Sequence, residues 1–113
     1  MVQSLSKTGI ETAEKSWVTV CSLDAIAPNT GVTALIETEQ VAIFRIGQTD
    51  EVYAVGNFDP FSKAFVMSRG IVGDRKGVLK VASPIYKQNF NLKTGVCLDD
   101  QNISLPAYSA RVV

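Results

Sequence analysis

Histidine, the side chain that most often serves as general base or metal ligand near neutral pH, does not occur among the 113 residues of this chain. No Ser-His-Asp or Cys-His pair can therefore form, and no imidazole can ligate zinc or iron. The thiols number two, Cys21 and Cys97, with 75 residues between them. That spacing fits neither a C-x-x-C redox pair nor a disulfide framework; a single bridge is geometrically open, and two reduced core thiols are the favoured reading. The acidic pairs Asp50-Glu51 and Asp99-Asp100 lack the alternating spacing of a calcium loop. Ser4 and Lys7 have Ser-x-x-Lys spacing, but on a polar terminus nothing would preorganise them as nucleophile and base. No phosphate-cradling G-x-x-x-x-G-K-[ST] or G-x-G-x-x-G is present. No catalytic residue is predicted. What stands out instead is a matched pair of loops, Phe58-Asp59-Pro60-Phe61 and Ser83-Pro84-Ile85-Tyr86, each with a proline second counting from its Asp59 or Ser83 and an aromatic near its end.

The elements that would carry these loops are short β-prone runs, at 17–21, 32–36, 40–46, 51–55, 78–82, 88–92, 96–98 and 108–113, rich in Val, Ile, Phe and Tyr. Turn chemistry separates them: Pro28-Asn29-Thr30-Gly31, Gly47-Gln48-Thr49-Asp50, Lys76-Gly77 and Lys93-Thr94-Gly95. Alternation in 40–46, with Val41 and Ile43 inward and Arg45 outward, predicts an antiparallel sheet with one wet face. The only helical turn predicted lies at 60–67. Residues 1–16 are polar and without a period, and read as a disordered lead-in to a single domain over 17–113. The fold class is all-β, a small antiparallel sandwich or barrel.

Composition narrows the partners. Apolar residues make up 46% of the chain and charged ones 19%, enough apolar side chains for a core. Eleven Lys and Arg cancel eleven Asp and Glu, so no net field draws the chain to nucleic acid or an anionic membrane. No run reaches the eighteen or so apolar residues of a membrane span and no export signal is present, so a cytoplasmic location is expected. The cancellation hides an asymmetry: from Lys63 to Lys93 seven cations face Asp74 alone, whereas residues 1–62 carry three cations and eight carboxylates.

The two loops also sit in a known frame. Glu51-Val52-Tyr53-Ala54-Val55-Gly56-Asn57, the first loop, Ser68-Arg69-Gly70, the second loop, and Asn89-Phe90-Asn91-Leu92-Lys93-Thr94-Gly95 together resemble the Rieske [2Fe-2S] ferredoxin pattern over about residues 17–113. The resemblance implies a Rieske-like antiparallel β-sandwich with both loops at the cluster position. A Rieske cluster takes two cysteines and two histidines. In this chain those positions fall on Asp59, Phe61, Ser83 and Tyr86, none of which can replace its counterpart. Phe61 and Tyr86 are expected to fill the space with apolar packing.

A Rieske-like frame without cluster ligands is similar to the small-subunit family of bacterial assimilatory NADH-dependent nitrite reductases. That likeness implies an accessory chain with no cofactor of its own. Its large-subunit partner would hold FAD, a [4Fe-4S] cluster and sirohaem and reduce nitrite to ammonium. Phe58, Phe61, Ile85 and Tyr86, ringed by Lys63 and Lys87, are the predicted partner-binding residues. The competing reading is a ferredoxin-like electron carrier serving another reductase or oxygenase.

Overall fold

The computed structural model describes residues 6–113, and its regular structure is antiparallel throughout. Gly31–Ile36 (β3), Glu39–Arg45 (β4), Val52–Gly56 (β5) and Ala107–Tyr108 (β11) form a four-stranded sheet in the order β11-β5-β4-β3. Lys7–Glu11 (β1), Trp17–Ser22 (β2) and Ala110–Val112 (β12) form a second sheet, ordered β12-β1-β2. Ile71–Arg75 (β8), Val78–Ala82 (β9) and Asn89–Asn91 (β10) form a third, ordered β10-β9-β8. A short hairpin pairs Phe58–Asp59 (β6) with Ala64–Phe65 (β7). Two 3-10 turns, Leu23–Ala25 and Met67–Arg69, complete the elements.

The four-stranded sheet is a wall between two cores. Because side chains alternate along a strand, β4 sends Val41 and Ile43 to one side and Ala42 and Phe44 to the other. β5 does the same, with Val52 and Ala54 opposite Val55. On the first side they meet Ile10 of β1, Leu23, Ile26 and Ile36. On the second they meet Met67, Val81 of β9, Phe90 of β10, Leu92, Cys97 and Leu105, which form the core beneath the two loops. Burying a ring such as Phe44 or Phe90 completely contributes roughly 2–3 kcal/mol.

Four sequence expectations are corrected. Arg45 does not face water: both faces of β4 are covered, and its guanidinium is buried among the carbonyls of Leu23, Ile26, Gln48 and Thr49 at 2.9–3.4 Å, which satisfy the charge. The lead-in is not wholly disordered, since β1 runs from Lys7 to Glu11 as the central strand of its sheet; residues 1–5, including Ser4, lie outside the described residues. The helical turn expected over 60–67 is shorter, a single turn closed from Asp59 to Lys63, after which the chain enters β7 and then the 3-10 turn that begins at Met67. The run 96–98 is no full strand either, pairing only through the isolated bridges Phe90–Cys97 and Val96–Ser104. Cys21 and Cys97 are free thiols packed on different cores.

One glycine ties the first loop to the strand that carries the second. The 3-10 turn Met67–Arg69 ends at Gly70, where an added Cβ would stand 2.6 Å from both the Ala82 carbonyl and the Val81 side chain. Only glycine lets the chain after the first loop pass this close to the strand that feeds the second.

Candidate functional site

The two loops share one backbone design. In the first, the Lys63 N–H donates to the Asp59 carbonyl at 2.8 Å; in the second, the Lys87 N–H donates to the Ser83 carbonyl at 3.1 Å. Each is a single helical turn that goes no further. Each ends on a lysine in the left-handed region, φ 62 for Lys63 and φ 66 for Lys87. The side chain that opens each turn caps the N–H two residues on, Asp59 Oδ1 accepting from Phe61 at 2.9 Å and Ser83 Oγ from Ile85 at 3.3 Å. Proline second in each loop presets the φ that such a turn needs.

The side chains that open the turns also meet. Ser83 Oγ donates to Asp59 Oδ2 at 2.5 Å, and both residues are 0% exposed. Ser62 Oγ donates to the same carboxylate oxygen at 2.8 Å. Burial pushes the Asp59 carboxyl up, but the Ser83 and Ser62 hydroxyls and the backbone N–H groups of Phe61 and Ser62 together outweigh it and hold the group below the ordinary carboxylate value. The carboxylate is thus charged, dry and stabilised by donors from both loops.

Around this centre the other predicted residues divide. Phe61 is half-buried and leans on Phe90, ring centroids 6.1 Å apart, so it packs against the core beneath the loops. Tyr86 does not fill space beside it; it is 61% exposed. Ile85, Lys63 and Lys87 are also exposed, and the Lys87 ammonium lies 3.1 Å from the Pro84 carbonyl. Phe58 is 38% exposed and packs at a tilt against Phe65, centroids 5.0 Å apart, a residue not expected from the sequence because the cross-strand register of β6 and β7 brings it there. These two rings wall a groove of about 440 Å³ with Pro60, Pro106 and Tyr108, and Glu39, Gln40 and Asn57 supply its polar groups. Asn57 anchors the first loop: its Nδ2 donates to Gln40 Oε1 at 3.1 Å, and its Oδ1 accepts from the Ser68 N–H at 2.8 Å. Asp99 does the same after the second loop, accepting the Asn89 N–H at 2.8 Å and the Arg75 guanidinium at 3.1 Å.

The residues at the ligand positions do not fit a Rieske [2Fe-2S] cluster. Asp59 and Ser83 spend their oxygens on one another and on their own turns, Phe61 has no donor atom and points to the core, and Tyr86 faces outward. Among the described residues no group of three or more His, Cys, Asp or Glu could hold a metal ion. What the arrangement can do is present two braced, aromatic and cationic tips to another surface.

The frame itself defines a class: residues 16–113 match the Rieske-like [2Fe-2S] domain. Over 96 residues the chain is 48% identical to the nitrite reductase (NADH) small subunit of Escherichia coli strain K12, a match spanning 85% of this chain and 89% of that one. The solution structure of the E. coli protein NirD superposes with a TM-score of 0.79 at 47% identity, covering 85% of this chain and 87% of that chain. The nitrite reductase NAD(P)H large subunit of Klebsiella oxytoca contains a segment 40% identical over 98 residues, 87% of this chain and one tenth of that protein. The chain belongs to the family of Rieske-like nitrite reductase small subunits.

Proposed function

We propose that this chain is the accessory small subunit of a cytoplasmic NADH-dependent nitrite reductase, docking on the large subunit through its two loop tips. The observation that carries the reading is the pair of matched turns whose ligand positions are closed on each other while Phe58, Ile85, Tyr86, Lys63 and Lys87 stay outside. An apolar centre rimmed by lysines is the make-up of a protein interface, and the cations suit an acidic surface on the partner. The Klebsiella relative supports the pairing, because there the counterpart of this chain is covalently part of a large subunit. Flavin, [4Fe-4S] and sirohaem chemistry, and with it the reduction of nitrite to ammonium, belongs to the large chain; this one contributes binding and positioning. Phe61 contributes from below, setting the height of the first loop on the core.

The test is reconstitution. Added to isolated large subunit, this chain should form a stable complex and raise NADH-dependent nitrite reduction. Replacing Phe58 and Ile85 together by serine should weaken the complex about tenfold or more while the fold persists. Co-purification unchanged by that double substitution removes the loop tips as the docking surface.

A further inference from the structure

We infer that the Asp59–Ser83 hydrogen bond is an interloop latch: it locks the two turns to each other, as a cluster ligated from both loops would, and so presets the docking tips. The bond joins residues 24 positions apart, from hairpins of different sheets. Both partners are fully buried although the residues that follow them reach solvent. A buried carboxylate costs free energy to desolvate and persists where its oxygens are satisfied, as they are here by the Phe61 N–H and the Ser62 and Ser83 hydroxyls.

The atoms are shared in a way that couples the loops. Asp59 closes its own turn through Oδ1 and reaches the other loop through Oδ2. Ser83 Oγ both donates across to Asp59 and accepts the Ile85 N–H of its own turn. Losing either side chain therefore loosens a turn in the loop that was not changed. Phe61, seated against Phe90, still holds the first loop on the core, so the loss is a loosening and leaves the domain folded. Two residues that merely capped their own turns would act only locally, and this is the difference to measure.

Amide hydrogen exchange on the full chain reads it. Ser83→Ala, made in the second loop, should speed exchange at the Phe61 and Lys63 N–H groups of the first by about tenfold. Asp59→Asn, which can still bridge to the Ser83 hydroxyl, should fall between wild type and Ser83→Ala. Faster exchange confined to Ile85 and Lys87 overturns the latch. Should Ser83→Ala not fold, Asp59→Asn is read in its place: faster exchange at Ile85 and Lys87 of the second loop supports the latch, and faster exchange confined to Phe61 and Lys63 overturns it.

That the latch presets a docking surface rests on the function proposed above, and titration with large subunit separates the two. Ser83→Ala should bind about tenfold more weakly than wild type, with the apolar tips untouched. Wild type that does not bind at all removes the docking reading and leaves the exchange result standing. Wild type and Ser83→Ala binding equally well, with loops shown to be loosened, overturns the presetting role.

Discussion

The two loops have one backbone and two fates. Both are single closed turns opened by a capping side chain, with proline second and a left-handed lysine fifth. Yet the third residue of the first loop, Phe61, leans on Phe90, whereas Ile85 and Tyr86 of the second stand in solvent. The first loop also brings the charge, Asp59, and the second only a hydroxyl, Ser83. The difference teaches that one loop is the anchor and the other the reach: the first is fastened by ring packing, a carboxylate and Asn57, and the second, with its third and fourth side chains in solvent, by Asp99 behind it and by Ser83 to the first.

Removing the anchor should cost the most. Asp59→Ala leaves the Ser83 and Ser62 hydroxyls and the Phe61 N–H without their acceptor, and should destabilise the chain by about 3 kcal/mol in urea unfolding. Asp59→Ala at wild-type stability would erase the asymmetry. Next comes a matched pair of ring deletions: Phe61→Ala should cost about 2 kcal/mol because it opens space above Phe90, while Tyr86→Ala should stay within about 0.5 kcal/mol. Equal costs would mean that the two loops pack alike.

A smaller effect is expected from acid. The Asp59 carboxyl is held lower in the folded chain than its unfolded value of about 3.9, so its stabilisation is complete above about pH 4 and drains away as pH falls through the folded value. Thermal melts of Asp59→Asn from pH 5 down to pH 2 should lose less stability than those of wild type. A parallel pair of curves would deny the carboxylate its role. The smallest effect belongs to the two lysines: Lys63→Gly and Lys87→Gly each relieve a left-handed residue and should shift stability by less than about 1 kcal/mol, in the stabilising direction. Both should nevertheless weaken docking by removing a cation from the rim, which separates the lysines' part in binding from their part in the fold.

Strands whose neighbours are local in sequence were readable from period and turn residues, as β3, β4 and β9 show against the expected 32–36, 40–46 and 78–82. β1 was not, because Lys-Thr-Gly-Ile-Glu offers one apolar side chain and its two partners, β2 and β12, include one from the far end of the chain. β8 hid behind Gly73 and Asp74, which no strand propensity favours. The helical turn expected at 60–67 is real but stops after one hydrogen bond, since Lys63 turns left-handed and leads the chain into β7 at Ala64. Arg45 looked like an outward charge because alternation cannot reveal two carbonyls arriving from Leu23 and Ile26 and two more from the turn that follows β4. At the site, the sequence located the ligand positions by their frame, but the bond between Asp59 and Ser83 depends on how two hairpins cross, and an aromatic filling was expected in its place.

The shared wall has a consequence for how the molecule comes apart. Since β4 and β5 supply side chains to both cores, neither core can melt and leave the other with a complete face. Unfolding should then be one cooperative event, without a stage in which the loop-bearing half detaches like a hinged lobe. The loops can loosen locally above their core, but that core is not lost piecemeal: it goes only when the whole molecule does.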